Sequence, residues 1–144
     1  MRPESNALDV SIQALGVSEP NDFGDAFAEM TRSRPDAILM VSDTLTLLNR
    51  KRVMEFAAAN RLPAIYEYGF LVRDGGLMSY GPNQRENGEI VGELVARILR
   101  GARPADLPLE QPTQFEFIVN LTTAKTIGFT FPTVLLSRAD EVIE

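Results

Sequence analysis

Three polar segments of the 144-residue sequence carry side chains that could bind a small molecule. Two of them follow apolar runs, and the third follows the stiff Gly81-Pro82 pair. In open parallel sheets, ligands collect at the carboxyl ends of the strands, where loops and helix amino termini converge. The candidate ligand-binding residues are Ser42, Asp43 and Thr44, then Tyr66, Glu67 and Tyr68, then Asn83 and Gln84.

Each segment also has a purely structural interpretation. Aromatic rings beside the Glu67 carboxylate suit a small amine-bearing ligand, but they also suit packing at the rim of a sheet. Asp43 with its two neighbours can cap a helix, and so can Asn83. The side chains of Asn83 and Gln84 offer both hydrogen-bond donors and acceptors. The sequence leaves both interpretations open for all three segments.

Residue types exclude most catalytic chemistry. The chain has no Cys and no His, which removes thiol nucleophiles, Ser-His triads, disulfides, the usual zinc sites and imidazole catalysis. Residues 76–81 have the spacing G-x-x-S-x-G, which differs from a serine elbow. The i,i+3 pairs Asp22/Asp25 and Glu86/Glu89 are typical of solvated helix faces. We therefore expect neither an enzyme, nor a cofactor, nor a metal site.

Composition and charge limit the classes of partner that the chain can bind. Fourteen Lys and Arg against twenty Asp and Glu give a net charge of −6, which argues against a nucleic-acid surface. No apolar run is long enough to span a membrane. Residues 1–8 are polar and lack the apolar core of a signal peptide, so the chain as written is expected in the cytoplasm.

The pattern of elements predicts an α/β fold with a largely parallel sheet, because short apolar runs alternate with helical periodicity. The predicted strands are 9–17, 37–41, 62–66, 77–80 and 115–119, and the main predicted helices are 20–33, 44–59, 85–100, 120–127 and 133–139. The run 37–41 is typical of a fully buried central strand. We expect the strand 77–80 to stop at Gly81-Pro82, and Asp140-Glu141 to be a polar tail.

An ordered series of segments resembles one family. The segments are 63–66, 75–82, 98–108, 110–113, 115–126 and 138–144. Together they are similar to the carboxy-terminal part of ABC-transporter substrate-binding proteins of the tryptophan/tyrosine type. The resemblance implies a type I periplasmic-binding-protein fold, in which two α/β lobes close around a small ligand and deliver it to a membrane permease. It places Ser42-Asp43-Thr44 and Glu67-Tyr68-Gly69 in ligand loops, and Asn83 where members often have Asp.

The resemblance covers residues 9–144 and implies an incomplete fold. Residues 1–8 would be a polar leader, 9–78 part of the second lobe, 79–113 a hinge crossing with a helix of the first lobe, and 114–144 a return to the second lobe. The first lobe and the first strand–helix unit of the second would be missing. Without that central strand, the sheet must re-pair, borrow a strand from another chain or leave a gap. The apolar stripe of helix 85–100 would favour homo-oligomers.

The leading interpretation is a truncated solute-binding component of an ABC transporter that captures a small organic ligand, with an amino acid as one candidate. Its location would be periplasmic by resemblance. One alternative is a stand-alone α/β interaction or oligomerisation module without a ligand. Another is the ligand-sensing domain of a regulator, although no DNA-binding helix pair precedes residue 9.

Overall fold

The computed structural model describes residues 9–144, and the predicted polar leader 1–8 lies outside the described residues. The chain divides into two compact units, Met1–Arg34 and Pro35–Glu144. In the first unit, helix α1 spans Asp22–Ser33, as the sequence predicts, and its Phe23 and Phe27 rings lie 6.0 Å apart. It ends where Arg34 adopts a left-handed backbone conformation with φ of 51°.

The prediction of a strand at 9–17 is wrong. Residues 10–17 have no regular secondary structure, and most of their side chains are exposed. Alternating polarity produces a strand only where a second strand supplies the hydrogen bonds, and this segment joins no ladder of the described sheet.

The second unit contains one five-stranded sheet with its strands in sequence order. The strands are β1 Ile38–Leu39, β2 Ala64–Tyr66, β3 Met78–Pro82, β4 Phe115–Asn120 and β5 Glu141–Ile143. β1, β2 and β3 run parallel, β4 runs antiparallel to β3, and β5 runs parallel to β4. The predicted α/β class with a mostly parallel sheet is therefore confirmed.

Six helices connect these strands. They are α2 Thr44–Leu48, α3 Arg50–Ala59, α4 Gly69–Arg73, α5 Gln84–Leu99, α6 Leu121–Ile127 and α7 Thr133–Leu136, with a single 3₁₀ turn at Pro104–Asp106. The helix predicted over 44–59 is divided in two, because Asn49 departs from helical geometry with φ of −102° and ψ of 10°.

The prediction of a fully buried central strand at 37–41 is wrong. β1 lies at the end of the sheet, and within the described residues β2 is its one neighbour. Ile38 and Met40 are buried, whereas Leu39 and Val41 are 66% and 68% exposed. A strand is buried on both faces only where both faces are covered, and one face of β1 is open.

Two predicted ends also differ. β3 continues through Pro82, which lies opposite Phe115 in the antiparallel ladder, instead of stopping at Gly81. The predicted polar tail forms β5, where Arg73 of α4 donates two hydrogen bonds to Glu141, at 2.5 and 3.2 Å. Residues 141–143 therefore form a strand because β4 pairs with them, although their sequence did not predict a strand.

The core of the second unit lies between the sheet and the helices packed on it. One buried cluster contains Leu77, Val119, Ala124, Ile127 and Phe131. Helix α5 contrasts with this core, because none of its residues is buried. No helix within residues 9–144 is both long and apolar enough to cross a membrane.

Candidate ligand-binding site at the carboxyl edge of the sheet

The carboxyl ends of β1, β2 and β3 bring two predicted segments into direct contact. The backbone N–H of Ser42, after β1, donates to Oε2 of Glu67, after β2, at 2.8 Å. Asn83, after β3, uses its side-chain amide to donate to Oε2 of Glu116 at 2.9 Å. Two carboxylates from different strands are therefore oriented at this edge by neighbouring segments.

Two glycines allow these carboxylates to approach the sheet. A Cβ on Gly81 would lie 2.0 Å from the carbonyl oxygen of Glu67, so the chain at Glu67 crosses closely over β3. A Cβ on Gly69 would lie 2.5 Å from the side chain of Ile118 and 2.8 Å from Oε1 of Glu116. At residue 81 the near atom belongs to the backbone, so only glycine fits there, whereas at residue 69 the near atoms are ends of side chains. The close packing at Gly69 puts its backbone beside Glu116.

Asp43 is the amino-terminal cap of α2. Its Oδ1 accepts from the Thr46 N–H at 2.7 Å, and its own N–H donates to the Thr46 hydroxyl at 2.8 Å. The Thr46 N–H lowers the pKa of Asp43, so the carboxylate is held charged as a cap. Thr44 is the exposed first residue of α2. The buried hydroxyl of Ser42 has no hydrogen-bond partner among residues 9–144.

Asn83 caps α5 in the same manner. Its Oδ1 accepts from the backbone N–H groups of Arg85 and Glu86, both at 3.0 Å. Gln84 is the exposed first residue of the helix. Because Asn83 also donates to Glu116, one side chain joins the start of α5 to the carboxylate of β4.

The chain leaves the sheet after β3 and returns to it beside the point of departure. The backbone N–H of Asn83 donates to the carbonyl of Gln114 at 2.9 Å. The carboxylate of Glu86 accepts from the Thr113 hydroxyl at 2.6 Å and from the Gln114 N–H at 2.9 Å. These two donors, the hydroxyl first, lower the pKa of Glu86. Residues 84–113 are therefore an excursion whose two ends are hydrogen-bonded together.

The two candidate tyrosines lie in different environments. Tyr66 is 1% exposed, and its ring packs against Gly76 in the core beside a cavity of about 30 Å³. Burial raises its pKa to about 12. The ring of Tyr66 is thus inaccessible to a ligand at the sheet edge. Tyr68 is half-buried and stacks on Phe70 with ring centroids 5.8 Å apart.

Sequence reasoning missed Glu116. Its segment was expected to be a strand, but nothing in the sequence indicated that this strand runs antiparallel to its neighbour and so begins at the carboxyl edge. It also missed the stacked pair Tyr80 and Phe115, with centroids 5.7 Å apart and both rings largely exposed. Within residues 9–144, no three His, Cys, Asp or Glu side chains cluster as metal ligands would.

The chain belongs to the ABC transporter substrate binding protein family, whose sequence pattern matches residues 4–143. The resemblance drawn from the sequence is therefore confirmed. No curated protein shows significant similarity to the chain.

Solved structures share the fold. An ABC domain in complex with L-Trp from Streptococcus pneumoniae is 25% identical, with a TM-score of 0.85 over 96% of this chain and 48% of that one. A conserved domain protein from Vibrio cholerae is 22% identical, with a TM-score of 0.78 over 86% of this chain and 42% of that one. The ligand-free, open structure of CD0873, a substrate binding protein with adhesive properties from Clostridium difficile, is 22% identical, with a TM-score of 0.66 over 96% of this chain and 46% of that one. The chain thus spans about half the length of the structures it matches.

Proposed function

We propose that this chain forms part of the ligand cleft of a solute-binding protein that delivers a small organic molecule to an ABC permease. The observation that carries the proposal is the pair of carboxylates, Glu67 and Glu116, each held by a hydrogen bond at the carboxyl edge of the sheet. Family membership favours transport over catalysis or gene regulation. Proteins of this kind act outside the inner membrane, so we place the chain in the periplasm or its extracellular equivalent.

The chemistry of the edge favours a ligand with an ammonium group. Opposite charges a few ångströms apart attract strongly where water is partly excluded, and Glu67 is held in place by Ser42. The stacked Tyr68 and Phe70 offer an aromatic surface nearby in the chain. An amino acid combines both features, and the complex of the S. pneumoniae relative with L-Trp supports this class. The proposed contacts are the segments at 42–44, 67–68 and 83–84 together with Glu116.

The proposed division into lobes is supported by the excursion of residues 84–113. We propose that residues 9–78 and 114–144 belong to one lobe, and that 79–113 cross to the other and return. The bond between Asn83 and Gln114 puts the outgoing and returning strands side by side, as a hinge requires. A ligand touching both lobes would stabilise the closed state through its higher affinity for that state.

The test is an NMR titration of the 144-residue chain with L-tryptophan, because chemical shifts detect binding even in the millimolar range, about −4 kcal/mol. We expect shift changes at Ser42, Glu67 and Tyr68. The matched probe is 3-indolepropionate, which keeps the ring and the carboxylate but lacks the ammonium group. It should cause much smaller changes.

The variants Glu67→Gln and Glu55→Gln provide the matched control. Both neutralise one carboxylate, but Glu55 lies exposed on α3. We expect Glu67→Gln to weaken binding roughly tenfold, a loss of about 1.4 kcal/mol, and Glu55→Gln to bind normally. If both probes bind equally, the ammonium assignment is wrong. If neither perturbs this edge and no other amino acid does, the proposed site is wrong.

A further inference from the structure

The side chain of Asn83 directs its oxygen and its nitrogen at different parts of the chain. Its Oδ1 accepts from the backbone N–H groups of Arg85 and Glu86 and so caps α5. Its Nδ2 donates to Oε2 of Glu116 at 2.9 Å. The reverse orientation would place the NH2 group against two N–H groups and Oδ1 against a carboxylate. The neighbouring groups therefore fix the direction of the amide.

Glu116 depends on this amide for its orientation. Within residues 9–144, Asn83 is the one hydrogen-bond donor to the half-buried side chain of Glu116. Arg73 of α4 also lies nearby, because its Nη1 and Oε1 of Glu116 are 3.5 and 2.8 Å from the same point, the position of a Cβ on Gly69. However, Arg73 donates two hydrogen bonds to Glu141. The guanidinium thus attracts the Glu116 carboxylate, and the Asn83 amide sets its direction.

The hydrogen bond from Asn83 leaves Glu116 able to accept others. A carboxylate has about four acceptor positions, and Asn83 occupies one of them. An ammonium group is a donor only, and it binds a carboxylate more tightly when the oxygens are held in place before the ligand arrives. The amide of Asn83 is neutral, so it orients Glu116 without adding a charge that would repel an ammonium group.

We propose that Asn83 is a positioning residue of the candidate site, which orients Glu116 toward the ammonium group of the ligand. The inference rests on the proposed function, because it requires a ligand with an ammonium group. Asn83 then has two roles, one as the cap of α5 and one that acts through Glu116. Serine or aspartate at residue 83 would keep the cap but would lose the amide donor.

NMR titration of Asn83→Ser in the 144-residue chain tests the positioning role. We expect the variant to bind L-tryptophan about fivefold more weakly, because the oxygens of Glu116 are no longer held. The small shift changes caused by 3-indolepropionate should stay the same, because that ligand lacks the ammonium group. Asn60→Ser is the matched control, since Asn60 is exposed and its amide donates to the carbonyl of Phe56 at 2.8 Å. It should bind both ligands as the wild type does.

A reversed pair provides the second test. Asn83→Asp combined with Glu116→Gln exchanges the amide and the carboxylate, and it keeps the length of both side chains. Asn83→Asp alone places two carboxylates in contact, so it should lower the free energy of unfolding in urea, and adding Glu116→Gln should restore most of the loss. The double variant should also bind L-tryptophan more tightly than Glu116→Gln alone, because it again has one carboxylate oriented by an amide.

The two tests separate this inference from the proposed function. Additive effects of the two substitutions on stability, in a chain that binds L-tryptophan, would overturn the inference alone. Equal weakening of both ligands by Asn83→Ser would overturn the positioning role, since a general change of the fold would then explain the loss. If the pair is coupled in stability but the wild type binds no amino acid, the positioning role is refuted together with the proposed function.

Discussion

Tyr66 and Glu67 are consecutive residues, yet their side chains belong to different parts of the molecule. β2 ends at Tyr66, whose ring points into the core beside Gly76. Glu67 follows the strand and receives the Ser42 N–H at the sheet edge. Successive side chains of a strand face opposite sides, so a segment of three candidate residues cannot present all three to one ligand. The buried aromatic ring instead stabilises the strand that presents the carboxylate.

Burial of Tyr66 predicts a pH dependence of stability. Its folded pKa is raised to about 12, whereas an unfolded tyrosine titrates near 10. Between these values the unfolded state releases a proton that the folded state keeps, so the free energy of unfolding falls as pH rises. At about pH 11 the loss is on the order of 1.4 kcal/mol. Below about pH 9 both states keep the proton, so this group contributes almost no dependence.

Urea unfolding of the wild type and Tyr66→Phe at several alkaline pH values measures this effect. The difference between the two slopes isolates Tyr66, because all other groups are shared. Tyr80→Phe, at a mostly exposed position, should keep the slope of the wild type. Equal slopes for the wild type and Tyr66→Phe would show that the ring is solvated.

At the scale of elements, Gly81 lets β3 pack closely against the chain at Glu67, which belongs to the candidate ligand-binding site. β3 passes directly beneath the chain at Glu67, and a Cβ at residue 81 would lie 2.0 Å from a backbone oxygen. No rotation of a side chain can relieve this contact, so the end of β2 must move. β3, which leads to Asn83, and the loop that contains Glu67 thus pack closely because residue 81 has no side chain.

Gly81→Ala should therefore lower the free energy of unfolding by about 1–3 kcal/mol or more. Gly88→Ala is the matched control, since Gly88 lies inside α5 with nothing within 4 Å of its Cβ position. Alanine favours a helix interior over glycine, so Gly88→Ala should raise stability by about 0.5–1 kcal/mol. Urea unfolding followed by circular dichroism measures both. A Gly81→Ala chain as stable as the wild type would contradict the close approach.

Elements with a strong local signal were predictable from the sequence. α5 has an apolar stripe, a capping Asn83 and a left-handed Gly101 after its end, and all three are visible in the residues. β5 was not predictable, because its pairing with β4 is a tertiary property that outweighs its polar composition. The opposite failure occurred at 9–17, where a strand pattern joins no ladder of the described sheet. For the site, Glu67 could be inferred from strand order, whereas Glu116 required the direction of β4.

At the scale of the whole molecule, one unit contains everything that defines the sheet. All five strands lie within Pro35–Glu144, and so do the buried cluster around Val119 and the ion pair between Arg73 and Glu141. Every hydrogen bond described above for the candidate site also joins residues of this unit. Stability and site geometry should therefore be properties of residues 35–144.

A chain consisting of residues 35–144 should accordingly fold by itself. We expect cooperative unfolding, and slow amide hydrogen exchange in β3 and β4, the most extensively paired strands, because exchange there requires global opening. The full 144-residue chain is the control, and it should protect the same amides. If residues 35–144 showed no protected amides, the first unit would be essential to the sheet.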